Sequence, residues 1–201
     1  IAGLTGAGLQ LRVNGGAGQA VSGTSYTLTP ALLSGTSYTV AIAQQPAGQL
    51  CTLMNATGTI TSADVSVPVT CLNAYTVGGT VSGLVGTGLS LSLSAGGLQS
   101  VSPSGDGSFS FPSLVVTGTG FTAAVTGSPA NQLCSATGTS GTVLNANVTS
   151  IVVTCVNTWS IGGTVTGLTG TGLQLAVNGG AANNVSGPFT LSPRIPNGGM
   201  Y

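Results

Sequence analysis

The chain is written from one segment used three times, and that repetition limits the fold more than any single residue does. The stretches "GLTGAGLQLRVNGGA" (3–17), "GLVGTGLSLSLSAGG" (83–97) and "GLTGTGLQLAVNGGA" (167–181) are three copies of one pattern. Cysteines recur with it: Cys51 and Cys134 lie 83 positions apart, and Cys71 and Cys155 lie 84 apart. A lead-in, "YTVGGTVSGL" from Tyr75 and "WSIGGTVTGL" from Trp159, opens the second and third copies, whereas the first keeps only "IAGL" from Ile1. Near the other end, "VSGPFTLSPRIPNGGMY" from Val185 lines up with "VSGTSYTLTPALLSGTSY" from Val21, and "PRIPNGGMY" departs from the pattern of "PALLSGTSY". The expected units are 1–73, lacking the start of a first strand, 74–157, complete, and 158–201, an N-terminal half. The expectation is a window cut from a longer tandem array, mature, processed or excerpted. The alternative is that neighbouring molecules complete the open ends with strands of their own.

Within each unit the apolar residues recur with period two, as half-buried strands require. "LSLSLS" from Leu89 alternates without a fault, and "LQLRVN" from Leu9 and "LQLAVN" from Leu173 keep the same phase. "YTVAI" from Tyr38 and "FTAAV" from Phe121 behave alike, and Asn14-Gly15, Gly105-Asp106-Gly107 and Asn178-Gly179 supply turns between the runs. The expected fold class is all-β: tandem Ig-like β-sandwich domains of about seven strands each, with no helical period anywhere.

The cysteines fit that frame. In "VSVPVTC" the residues Val65, Val67, Val69 and Cys71 share one strand face, as do Ile151, Val153 and Cys155; Cys51 shares its face with Leu53, and Cys134 with Ala136. All four sulfurs are expected to point inward. With a turn at the midpoints, Thr61 in one copy and Leu144-Asn145 in the other, each pair meets across an antiparallel hairpin. The predicted bonds are Cys51 to Cys71 and Cys134 to Cys155, each closing a loop that contributes roughly 3 kcal/mol on the chain-entropy account. A domain of this size with small aliphatics in its core has little burial to spare, and disulfides imply an oxidising, extracellular compartment. A zinc site needs cysteines two to four residues apart, and no such pair is present. Pro68 removes a backbone donor near the last strand, which predicts an edge strand there.

Between Cys71 and Tyr75 stands only "LNA", and between Cys155 and Trp159 only "VNT". Three residues make no flexible tether, so successive domains are expected to touch and to form a semi-rigid rod. Tyr75 and Trp159 occupy the same place at the two junctions. They are read either as rings packed between domains or as ordinary core aromatics of a first strand.

Chemistry has little raw material. Arg12, Arg194, Asp64 and Asp106 are the only charged residues, the formal net charge is zero, and histidine is absent. Two isolated arginines cannot displace the counterions of a nucleic acid. The commonest general base is missing. Asp64 sits where the second copy has Asn147, a swap that keeps turn-forming ability and not charge. One acid per unit does not make a calcium site. The "GLTGTGL" loops lack the Lys-Ser/Thr that a phosphate cradle needs. Sequons stand at Asn55, Asn147 and Asn184. With 41% hydrophobic residues the chain is not of disordered type, and no apolar run reaches the roughly 18 residues of a membrane span. No catalytic residue, metal or cofactor is therefore expected.

The order "GGTVSGL", "GLSLSLSAGG", "GSFSF", "FTAAVTGSPANQLC" and "NVTSIVVTC" resembles the tandem Ig-like or prealbumin-like repeats of large secreted bacterial surface proteins. That resemblance implies a shaft or filament: an adhesin-like stalk, or a subunit array in an extracellular fibre. The expected function is non-enzymatic and structural, with self-association or neighbouring repeats as partners. Near-zero charge removes the repulsion that keeps proteins apart. The alternative is a glycan- or surface-binding adhesin module that uses rows of Ser and Thr.

Overall fold

Strands form where the alternation calls for them. The computed structural model describes residues 1–201 and contains eighteen strands and no helix, so no helix is long and apolar enough to cross a membrane. Segment 1 holds β1 (Gln10–Val13), β2 (Gln19–Ala20), β3 (Ser37–Gln44), β4 (Gln49–Leu53), β5 (Thr57–Thr59) and β6 (Val69–Tyr75). Segment 2 holds β7 (Val77–Ser82), β8 (Ser90–Ser94), β9 (Leu98–Val101), β10 (Gly107–Ser110), β11 (Val115–Val116), β12 (Gly120–Gly127), β13 (Gln132–Thr137), β14 (Ser140–Thr142) and the start of β15 (Val148–Thr164). Segment 3 takes the end of β15, then β16 (Gln174–Leu175), β17 (Asn183–Asn184) and β18 (Pro188–Pro196). Segment 2 thus has nine strands where alternation predicts about seven. The surplus lies in pieces such as "VV" of β11 and "SGT" of β14, too short to display a period.

Segment 2 is sandwich-like. One sheet runs β10-β7-β15-β13 and the other β14-β12-β8-β9. Val77, Val81, Ile151 and Val153 from the first sheet share one apolar cluster with Leu91, Leu93, Phe121 and Ala123 from the second. The two-residue period makes this arrangement: in "SLSLS" of β8 both leucines are buried, while the serines between them stay at the surface or half-buried. β7 and β15 are parallel neighbours; the other pairs in these two sheets are antiparallel.

Segment 1 repeats much of this plan with sheets β2-β1-β3-β5 and β11-β6-β4 around its own cluster of eight buried residues. A third cluster, Val177, Leu191 and Ile195, lies in segment 3. The Asn-Gly turns form as their chemistry requires: Asn14 and Gly15 have φ of 49° and 73°, and Asn178 and Gly179 have 46° and 70°. Two consecutive residues with positive φ reverse a hairpin in the sense of the strand twist.

Two expectations are corrected here. The half-cystines do not close a hairpin. After β4 the chain crosses to the opposite sheet, where β5 pairs with β3, before returning as β6; β14 makes the same excursion to β12. The bends near the midpoints are real, but each bridge joins ladder neighbours that are not consecutive strands. Val65 does not share the buried face of Val69 and Cys71; it is 41% exposed, because the chain from Ala63 to Pro68 has no ladder partner to hold its alternation. Pro68 stands immediately before β6, at the end where β4 alone flanks the strand: Val69 pairs with Leu53, whereas β11 joins β6 only at Ala74 and Tyr75, and the Pro68 carbonyl accepts from the Met54 amide.

Candidate functional site

The residues singled out by sequence converge on the seams between segments. Cys51 and Cys71 face each other across the β4–β6 ladder with an S–S distance of 2.01 Å, and Cys134 and Cys155 face each other across β13–β15 at 2.03 Å. All four are buried and no free cysteine remains. The bridges therefore fasten the strand that leads out of each segment. Two disulfides fit an oxidising, extracellular-type compartment.

That outgoing strand does not stop at the boundary. The end of β6, Ala74 and Tyr75, pairs with Val116 and Val115 of β11, a strand of the next segment. At the second seam β15 runs without a break through 17 residues, and its Thr158 and Trp159 pair with Pro196 and Ile195 of β18. Equivalent bonds secure both crossings. The Thr117 amide donates to the Asn73 carbonyl at 2.9 Å, and the Asn197 amide donates to the Asn157 carbonyl at 2.8 Å. The Ala74 amide reaches the Gly48 carbonyl, and the Thr158 amide reaches Asn131. "PRIPNGGMY", although different in sequence, keeps this pairing, and its Arg194 donates from Nε to Thr158 Oγ1 and from a terminal guanidinium nitrogen to the Thr158 carbonyl at 2.7 Å.

The two aromatic rings at the seams part company. Tyr75 is half-buried and packs against the fifteen-residue cluster of segment 2. Trp159, at the same position in the repeat, is 62% exposed, and the three-residue cluster of segment 3 does not include it.

Two residues that sequence reasoning did not single out organise each seam. Gln49 and Gln132 stand two positions before Cys51 and Cys134, in "GQLC" and "NQLC", and both are buried. Gln49 Oε1 accepts from the Thr5 and Gly6 amides, while its Nε2 donates to the Gly3 carbonyl and to Asn73 Oδ1. Gln132 repeats the plan with the Val85 amide, the Gly83 carbonyl and Asn157 Oδ1. Each glutamine thus ties the glycine loop of its own segment to the asparagine whose carbonyl receives the next segment. The signal was the recurrence of Gln at a fixed distance from Cys; a single polar residue beside an apolar strand reads as solvent-facing unless both copies are compared. No buried side-chain nitrogen or oxygen lacks a partner.

Of the two carboxylates, Asp106 has structural work. Asp106 accepts from the Gly83 and Leu84 amides and closes the turn region against the first strand. Asn147, counterpart of Asp64, accepts from the Thr76 amide at the entry of β7. Asp64 itself borders an open cavity of ≈ 690 Å³ in segment 1, lined among others by Val13, Tyr26, Leu28, Val40 and Val67. Burial there raises the Tyr26 hydroxyl above its ordinary value of 10.0. No protein-family model matches the chain, and no curated protein matches it by sequence.

Proposed function

We propose that this chain is a stretch of a non-enzymatic, extracellular structural array, in which 1–73, 74–157 and 158–201 are tandem Ig-like domains of a fibre or cell-surface stalk. The observation that carries the reading is β15, one strand that ends one segment and begins the next. A linker of flexible residues would let domains swing; a strand hydrogen-bonded on both sides of the boundary resists bending because turning it breaks ladder bonds. Disulfides beside each seam support the same reading, since they brace the strand that would carry tension. The scarcity of charge supports close packing between arrays.

The test is electron microscopy of the array together with sedimentation over a range of concentrations. Straight rods with beads at a regular spacing, joining end to end or side by side as concentration rises, are the expected result. Beads that adopt all mutual angles, or a strictly monomeric rod at high concentration, would remove the stalk or the self-assembling fibre respectively.

A further inference from the structure

We propose that the outer face of each cystine-bearing ladder, β4–β6 in segment 1 and β13–β15 in segment 2, is a side-by-side docking surface for a second copy of this chain. The proposal rests on the array reading above and deepens it by naming the face on which two arrays meet.

The face follows from the alternation that buries the cysteines. In β13 and β15 the residues in phase with Cys134 and Cys155 point into the core, so those between them stand outward. Leu133 lies opposite Val156, and Ser135 opposite Thr154. Segment 1 repeats the plan: Leu50 lies opposite Leu72, and Thr52 opposite Thr70. Each ladder therefore shows one apolar pair beside one hydroxyl pair. Leu133, Leu72 and Val156 are 53%, 50% and 39% exposed, whereas the cysteines of both ladders are buried. Leu72 stays half-exposed although segment 2 follows it, so a neighbouring segment does not cover this face.

Size and charge name the occupant. One apolar pair per segment falls far short of the roughly 800 Å² per partner that a stable interface buries. A partner that reaches a single patch is held weakly. A partner that carries the same patches at the same interval engages several at once, and the second contact follows the first at a high effective concentration. That interval is built into the chain: Leu50 and Leu133 are 83 positions apart, and Leu72 and Val156 are 84 apart. None of the four charged residues lies on β4, β6, β13 or β15. A charged partner would lose hydration there without gaining a counter-charge. A second copy brings a face equally free of charge, and its hydroxyls both donate to and accept from those of the first.

The experiment is sedimentation equilibrium of the 201-residue chain, with NMR spectra recorded over the same concentrations. The variants are Leu72→Lys, Leu133→Lys, the two together, and Thr122→Lys, which puts the same charge on the outer face of the opposite sheet. Association of the native chain is expected, with shifts centred on residues 50–52, 70–72, 133–135 and 154–156. Each leucine variant should associate at least about ten-fold more weakly, and the pair should stay monomeric, while Thr122→Lys leaves association unchanged. Should a lysine disturb the native spectrum, Leu72→Thr with Leu133→Thr keeps strand propensity and reads the same loss. Association that survives the double variant, or that Thr122→Lys weakens equally, would overturn this face and leave a self-assembling array standing. A native chain that is monomeric at every concentration would overturn the face and the fibre together. Shifts on this face that appear in such a monomer only when neutral polysaccharide is added would assign it to a glycan instead.

Discussion

Gln132 is buried among strands, yet it is the residue on which segment 2, its glycine loop and the seam all depend. Replacing it with alanine removes three hydrogen bonds, to the Val85 amide, the Gly83 carbonyl and Asn157 Oδ1. The expected loss is about 2–3 kcal/mol of stability in urea denaturation, and a loss below about 0.5 kcal/mol would show that the network is dispensable. Tyr26 gives a second residue-scale test. Its folded-state pKa is raised by burial, so the folded protein holds the proton more tightly than the unfolded chain does. Its stabilising share is therefore complete below pH 10.0 and is lost as pH rises through the higher folded value. Tyr26→Phe should flatten the fall in melting temperature above that pH, and an unchanged slope would contradict the assignment.

The disulfides act on strand pairs. Cys134 and Cys155 are direct ladder partners, 21 positions apart in sequence, and the excursion through β14 lies inside the loop they close. The double variant Cys134→Ser, Cys155→Ser should lose about 3 kcal/mol by the loop-entropy account. Calorimetry reads this as a lowered transition for segment 2 with that of segment 1 unmoved; a joint shift would mean the two unfold as one unit. The pairing itself was legible, since Cys positions in phase with Val69 and Val153 point inward and repeat together. The strand crossing between them was not, because "TGT" and "SGT" carry no apolar period and gain their ladder only from β3 and β12. That residues 25–28 and 65–68 stay outside strands was illegible for a related reason. Their sequence matches β10 and β15, but a strand exists only when a neighbour supplies the hydrogen bonds.

At the scale of the whole molecule, the claim is that the segments are joined by shared strands and not by linkers. The short "LNA" and "VNT" joints made contact between neighbours legible; that β11 and β18 would pair back across each seam was not, since it depends on Val115 and Ile195 meeting Tyr75 and Trp159 in three dimensions. Native-state hydrogen exchange at the seam amides tests the claim most directly. The amides of Ala74, Thr117, Thr158 and Asn197 donate to Gly48, Asn73, Asn131 and Asn157 in turn. Shared strands predict that these four exchange as slowly as amides inside the β8–β12 ladder. Exchange at the rate of exposed loops would show that the seams open freely and would contradict a strand-coupled array.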